Sequence, residues 1–228
     1  MKKLSLMIFV SLLVKADFVM VYQMPQNSKQ AIEYKDQNHA KISVKDANNQ
    51  INAVELFVDG KYYMGALNNG KIVYHDMSMM LQNANAMYGN VMQEEEQTTN
   101  QKDNFKVIKK GKHINYLGMD AQEWVILIND NGQKSKAKVI VTKDKTFINA
   151  IKKVSNLYKK YMDSNGDNFD MELEDGYYVV SFEDMKLLEF KQKNIPNSNF
   201  AINNNKKSVQ QNAKKPPLCP VTNAHGKA

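Results

Sequence analysis

Two stretches of this 228-residue sequence carry side chains whose types and spacing could bind a metal ion. In the first, residues 163–174 follow a stretch with helical periodicity and place oxygen ligands at the positions that a calcium-binding loop uses. The candidate calcium ligands are Asp163, Asn165, Asp167 and Glu174. Asn168 stands where the sharp turn of such a loop favours glycine, so a plain acidic turn before a strand is the alternative interpretation.

The second stretch is rich in methionine and spans residues 75–92. Thioether sulfur and imidazole nitrogen are ligands that soft Cu(I) accepts. The candidate copper ligands are His75, Met79 and Met92. Three further methionines recur at the three- and four-residue spacing of one helix face, namely Met77, Met80 and Met87. Because methionine is an adaptable packing residue, core packing or contact with an apolar ligand is the alternative to copper.

No group of residues in the sequence matches a catalytic motif. The four histidines lie far apart, and none stands in a HExxH, CxxC or triad-like setting. Cys219 is the only cysteine, so an intramolecular disulfide cannot form. We therefore predict a protein that is not an enzyme, needs no cofactor and is held together by its core alone.

The two ends of the chain predict an exported protein with a flexible tail. Residues 1–16 combine a positive start at Lys2 and Lys3, an apolar run too short to cross a bilayer, and small residues before a cut near Ala16. This is the layout of a cleavable signal peptide, so we expect a soluble periplasmic protein. Residues 203–228 hold Asn, Gln and Lys with little to bury, which predicts a disordered basic tail. Such a tail could contact an anionic membrane surface transiently.

The charge of the chain argues against nucleic acid as a partner. The net charge is +7, but three of the 31 basic residues lie in residues 1–16 and five in the tail. The remaining residues 17–202 are nearly neutral, with 23 lysines against 24 acidic residues. Every basic residue is lysine, so the chain lacks the planar arginine fork that proteins use to contact phosphate and guanine.

Residues 17–202 are predicted to form one β-rich domain. Apolar and polar residues alternate along several runs, and Asp59-Gly60 between two of them predicts a tight hairpin. Residues 77–92 and 145–162 show helical spacing instead. We predict an α+β fold in which a strongly curved antiparallel sheet forms an incomplete barrel, with two main helices packed on its concave face.

Five segments carry a resemblance to a known family: residues 17–24, 34–44, 56–64, 118–124 and 193–200. Their order resembles the LolA/LolB-like superfamily of periplasmic proteins, and within it a branch of small exported domains. The resemblance implies an incomplete antiparallel barrel around helices, with acyl chains of lipoproteins held in the apolar concavity. The lipoprotein carrier uses an inner-strand arginine and begins with a helix, whereas this chain has no arginine and begins with a strand. The chain therefore resembles a relative on the same scaffold rather than the carrier itself.

From this resemblance we expect a non-enzymatic periplasmic binding protein. Its partner would be a hydrophobic small molecule, a lipid or an acylated protein, held in the concavity of the sheet. The residues expected to line the apolar cavity are Met64, Met77, Met80, Met87, Trp124, Phe147 and Ile151. Core packing of the same side chains is the alternative for these residues. The alternative function is periplasmic metal binding, with Cu(I) at the methionine-rich stretch or calcium at the acidic loop.

Overall fold

The described part of the chain consists of residues 17–79, 105–130, 132–162 and 171–202 of a computed structural model. The predicted signal peptide, residues 1–16, and the predicted basic tail, residues 203–228, lie outside it.

Eleven strands form a single antiparallel sheet. In chain order they are β1 (Phe18–Gln23), β2 (Lys29–Asp36), β3 (His39–Lys45), β4 (Ile51–Val58), β5 (Lys61–Asn68), β6 (Lys71–Asp76), β7 (Phe105–Tyr116), β8 (Met119–Asp130), β9 (Gln133–Thr142), β10 (Tyr178–Phe182) and β11 (Met185–Gln192). Their order across the sheet is β6-β5-β4-β3-β2-β1-β11-β10-β9-β8-β7. The first and last strands therefore pair with each other in the middle of the sheet.

Local turn chemistry accounts for the hairpins. Asp59 and Gly60 have φ of 51° and 77°, which is the positive pair that a two-residue turn between β4 and β5 requires. The predicted hairpin at this point is confirmed. Gly65 in β5 has a different role, because a Cβ atom there would lie 2.7 Å from Ile72 Cγ2 in the neighbouring strand. Glycine at this position lets β6 pack its side chains close to β5.

Successive side chains of each strand point to opposite faces of the sheet, and the register fixes which face each one occupies. We call the two surfaces the helix face and the back face. Met20 of β1 lies on the helix face, opposite Ile32 of β2, whereas Val19 lies on the back face. In the other half of the sheet, Ile140 of β9 packs on the helix face and Val139 on the back face.

One long helix, α1 (Lys145–Met162), covers the middle of the helix face. Its first turn is capped by Asp144, whose Oδ1 accepts a hydrogen bond of 2.8 Å from the Phe147 backbone N–H. The buried residues recur every three or four positions, which confirms the predicted amphipathic helix of residues 145–162. They are Phe147, Ala150, Ile151, Val154 and Leu157. The helix crosses the strands from β11, where Phe147 meets Phe190, to β4, where Tyr158 meets Phe57.

Two irregular segments cover the back face. Residues 193–202 pack Ile195 and Phe200 against β1 and β4, and the buried Asp17 carboxylate accepts the Ile195 backbone N–H at 3.0 Å. Residues 171–177 pack Leu173 and neighbouring side chains over the apolar cluster of β8 and β9. Each half of the back face is thus covered in part by the chain itself.

The predicted incomplete barrel with two main helices is wrong. The sheet is open, since in the described residues β6 pairs only with β5 and β7 only with β8. Closure would require the two outer strands to meet, but the pairing of β1 with β11 places the first and last described strands at the centre and leaves β6 and β7 outside. The helix α1 is the one α-helix whose full extent is described, and the predicted helix of residues 77–92 lies outside the described residues from residue 80 onward.

Candidate ligand-binding site

An apolar surface lies on the helix face beyond the C-terminal end of α1. The register places Val44, Ala53, Ala66 and Val73 in one row across β3 to β6, and Met64 stands in the next row. We call these five residues the apolar strip. Met64 is 45% exposed and Val73 is 40% exposed. The two alanines in the middle of the row have shorter side chains than the valines at its ends. The surface of the row is therefore concave, with the alanines at its lowest point above the sheet.

The inner border of the apolar strip is a half-buried carboxyl group that is hydrogen-bonded to the helix. Glu55 of β4 lies directly opposite Met64, and its Oε2 accepts a hydrogen bond of 2.7 Å from the Tyr158 hydroxyl. Burial raises the pKa of Glu55, and the hydrogen bond from Tyr158 offsets only part of that rise. Burial also raises the pKa of Tyr158, so its hydroxyl stays a donor.

Aromatic rings form a wall between the apolar strip and the core. The ring of Phe57 lies 4.9 Å from Tyr62, 5.8 Å from Tyr158 and 5.1 Å from Tyr161, measured between ring centroids. The Tyr161 hydroxyl is buried and has no hydrogen-bond partner among the described residues. A buried hydroxyl without a partner costs free energy, and because this oxygen is closed to solvent, a ligand could reach it only after the ring turns.

The structure places the predicted cavity residues on both faces of the sheet. Phe147 and Ile151 are buried beneath α1, and Met77 packs partly buried against the same cluster. Met64 belongs to the apolar strip. Trp124 lies on the back face, almost fully buried, and its Nε1 donates to Gln122 Oε1 at 2.8 Å. Met80 and Met87 lie outside the described residues. The set is therefore divided between the apolar strip, the core under the helix and the opposite face.

The predicted copper ligands are described in part. His75 of β6 is exposed and lies directly opposite Met64 on the helix face. Met79 is 72% exposed, and Met92 lies outside the described residues. The structure thus supplies one neighbour for His75, Met64, that the sequence alone did not indicate as a copper ligand.

Of the predicted calcium ligands, only Glu174 is described. Its carboxylate lies 2.8 Å from Lys110 Nζ in an ion pair. The other three, Asp163, Asn165 and Asp167, lie outside the described residues. Among the residues that the structure describes, no group of three or more His, Cys, Asp or Glu side chains is placed to hold a metal ion.

A polar network on the back face was not predicted. Gln122 Nε2 lies 2.7 Å from His113 Nε2 and donates to the Tyr177 hydroxyl at 2.9 Å. Since His113 Nε2 accepts from the amide, Nδ1 carries the proton and donates to Asp120 Oδ1 at 2.9 Å. A signal for this network existed, because a two-residue turn at Leu117-Gly118 places Gln122 opposite His113. The network fastens residues 171–177 to β8, and neither partner of His113 is a hydroxyl or thiol nucleophile.

The back face also carries two open grooves. The larger, of about 420 Å³, lies between the β4–β5 hairpin and residues 200–202, and is lined by Val58, Tyr63 and Phe200 with Asp59 and Lys61 at its rim. The smaller, of about 190 Å³, is lined by the polar network and Lys143.

None of the helices in the described residues has the length and apolar character that a membrane span requires.

Comparison with known proteins finds no matching family model, no similar curated protein and no similar solved structure. The resemblance to the LolA/LolB-like superfamily therefore stays a prediction from the sequence.

Proposed function

We propose that this protein is a non-enzymatic binding protein that holds an apolar chain, such as the acyl chain of a lipid or of an acylated ligand, on the apolar strip. The observation that carries the proposal is the exposure of Met64 and Val73 beside short alanine side chains. The apolar cluster under α1 is covered by the chain itself, and most of the apolar clusters on the back face are covered as well. The apolar strip is therefore an exposed apolar surface on which an added apolar chain would bury new area.

The physical gain comes from removing apolar surface from water, at about 25 cal/mol per Å². A single extended chain lying between Met64 and Val73 over Ala66 would contact all three side chains. Methionine suits this contact, because its unbranched side chain adapts to ligands of different shape. Exposed apolar surface that is rimmed by polar groups is typical of binding sites.

The aromatic wall supplies the polar end of the proposed site. The Tyr161 hydroxyl, which is buried and has no hydrogen-bond partner among the described residues, would donate to the carbonyl oxygen of an acyl chain if its ring turned toward that chain. Glu55 is already paired with Tyr158, and burial raises the pKa of this carboxyl group at the site border. We propose that this function is exercised in the periplasm, on the strength of the signal-peptide layout of residues 1–16.

The test is a titration of the purified protein with a fluorescent fatty acid. The double variant Met64→Ser with Val73→Ser should raise the Kd on the order of tenfold, because two contact side chains become polar. Leu67→Ser with Leu188→Ser is the matched control, since these leucines are 44% and 41% exposed and lie outside the apolar strip. The control should change the Kd by less than about twofold. Equal losses in both variants, or no binding by the wild type, would overturn the proposal.

Copper binding is a second candidate function, because His75 and Met64 are directly opposite on one face. The variant Met64→Leu separates the two candidates, since it keeps the apolar volume and removes the thioether sulfur. Fatty-acid binding that survives this substitution supports the apolar site. Loss of stoichiometric Cu(I) binding in the same variant, with no fatty-acid binding at all, supports copper instead.

A further inference from the structure

Lysines dominate the helix face at the other end of the sheet. The register aligns Lys106, Leu127 and Lys136 in one row across β7, β8 and β9. The next row across the same strands consists of Lys109, Val125 and Lys138. Lys134 stands on the same face of β9, opposite Asn129. We call the five lysines, with Val125 and Leu127 between them, the lysine face. All five lysines are exposed, and the two aliphatic side chains are half-buried.

The charge of the lysine face is largely uncompensated within the described residues. Glu123 is the one carboxylate that the register places on this face of the described strands β7 to β9. None of the five lysines takes part in a described ion pair, whereas Lys110 on the back face pairs with Glu174 and Asp175. Five like charges on neighbouring strands repel one another, and an external anionic surface would relieve that repulsion.

The lysine face is packed from behind. β9 pairs with β10 only from Val139 to Thr142, so β7, β8 and the first part of β9 extend beyond the rest of the sheet as a three-stranded arm. On the back face of this arm, Ile126 and Ala137 are buried, and at its base Trp124 packs against Tyr177, with ring centroids 4.6 Å apart. The arm therefore presents its lysines from a support whose other side is packed.

We infer that the lysine face docks on a bilayer surface that carries anionic lipids. A sheet face of this kind is extended enough to lie on a bilayer, and clustered lysines near an anionic leaflet each strengthen binding. Lysine also suits an interface between water and hydrocarbon, because its stem lies along apolar groups while the ammonium reaches the phosphates. Val125 and Leu127 provide such apolar groups between the lysines of each row. The inference goes beyond the proposed function and does not depend on it.

The composition of the lysine face favours lipid over nucleic acid and over an acidic protein. The chain has no arginine to form bidentate contacts with phosphate or guanine, and within residues 105–142 none of the exposed side chains of this face is aromatic. Protein interfaces are depleted of lysine and enriched in aromatic side chains at their cores. Headgroup phosphates require neither planarity nor aromatic stacking, only closely spaced positive charge.

The test measures co-sedimentation of the full chain with vesicles of phosphatidylcholine containing about one third phosphatidylglycerol. The test variant replaces Lys106, Lys109, Lys136 and Lys138 with Gln. The control replaces four lysines that are exposed elsewhere with Gln, namely Lys71, Lys145, Lys159 and Lys193. Both variants lose the same charge, so a difference between them reports position and not net charge.

We expect the test variant to lose on the order of tenfold or more in vesicle affinity, and the control to stay within about threefold of wild type. Wild-type binding should weaken as salt rises and be absent with phosphatidylcholine alone. Equal losses in the two variants would overturn the inference, because binding would then follow net charge. Binding of the wild type to polyglutamate but not to vesicles would also overturn it and would indicate an acidic protein partner.

A second measurement locates the contact. Leu127→Trp places a new indole within the lysine face, while the native Trp124 is buried on the opposite face. Vesicles with brominated acyl chains should quench the new fluorescence. Leu188→Trp, on β11, is the matched control and should not be quenched. Quenching of the control alone, or of both to the same extent, would contradict docking through the lysine face.

Discussion

The two ends of the helix face share one backbone architecture and differ in what their side chains can bind. At the β3–β6 end, the row that begins with Val44 is entirely apolar, and at the β7–β9 end two rows place a lysine on either side of an aliphatic residue. Between them, α1 buries the centre of the face. The difference lies in the residues at alternate positions of neighbouring strands and not in the secondary structure.

This difference shows how one antiparallel sheet can carry two separate binding surfaces. Every second residue of a strand belongs to one face, so a change from valine to lysine alters that face without disturbing the hydrogen bonds of the ladder. The buried centre fixes the distance between the two ends. We propose a division of roles in which one end holds an apolar chain and the other meets the surface from which such chains come.

The largest expected effect is on stability, and it distinguishes a substitution in the buried centre of the helix face from one at an exposed end. Phe147→Ala should lower the free energy of unfolding by about 3–5 kcal/mol, because Phe147 is fully buried and its removal leaves a cavity. Met64→Ala, in the half-exposed apolar strip, should cost less than about 1 kcal/mol. Urea unfolding followed by circular dichroism measures both. Similar costs for the two variants would contradict the distinction between centre and end.

The next prediction concerns each binding variant in the assay that was designed for the other one. The four-lysine variant should bind the fluorescent fatty acid within about twofold of wild type, and the Met64→Ser, Val73→Ser variant should bind vesicles within the same range. Each variant should lose on the order of tenfold only in its own assay. A variant that fails in both assays would show that the two ends act as one surface.

The pH dependence of stability tests the direction of the pKa shift of Glu55, which forms the inner border of the apolar strip. The pKa of Glu55 is raised in the folded protein, so the stability that Glu55 contributes is full below its unfolded pKa and declines as pH rises through the folded value. Glu55→Gln keeps an acceptor for Tyr158 and does not titrate. The Tm of this variant relative to wild type should therefore be higher at pH 8 than at pH 4.

The exposed Glu183 provides the control for this measurement, as Glu183→Gln. The relative Tm of the control should stay nearly constant over the same pH range. A relative Tm of Glu55→Gln that falls as pH rises would contradict the assigned direction of the Glu55 pKa.

The smallest expected effect concerns the stability of the lysine face. Lys136→Gln should change the free energy of unfolding by less than about 0.5 kcal/mol, because the side chain is exposed and has no described ion pair. Thermal and urea unfolding would detect a larger loss. A loss of that kind would mean that Lys136 supports the fold. Weaker vesicle binding by the four-lysine variant could then reflect unfolding, and the Leu127→Trp quenching measurement would decide whether the lysine face contacts the bilayer.

Local features of the fold follow from the sequence, and its long-range pairing does not. The spacing of Phe147, Ile151 and Val154 predicted α1, and Asp59-Gly60 predicted the β4–β5 turn. These signals act over a few residues. The pairing of β1 with β11 joins opposite ends of the chain, and no local pattern indicates it. The predicted barrel was wrong because alternation specifies strands and faces but not which strands end the sheet.

The same reason explains what could be predicted of the binding surfaces. The resemblance to an apolar-ligand carrier predicts Met64 as a cavity residue, but its neighbours Ala66 and Val73 become visible only when the register of β5 and β6 is known. Trp124 was grouped with Phe147 because both are large and apolar, although they lie on opposite faces. The lysine face depends on the register of three strands at once, and the sequence shows its lysines only as scattered charges.

The pairing of β1 with β11 also governs when the sheet can be completed. Phe18 pairs with Gln192, so the central seam forms only after nearly all of the described chain has been synthesised. Until then, the β1–β6 meander has an open strand at the position that becomes the centre of the molecule. Contacts between residues this distant in sequence slow folding, because the entropy of closing the loop is lost before the contacts form. We therefore expect folding to be a late event, with the meander held open in the meantime and α1 docking only once the seam has closed.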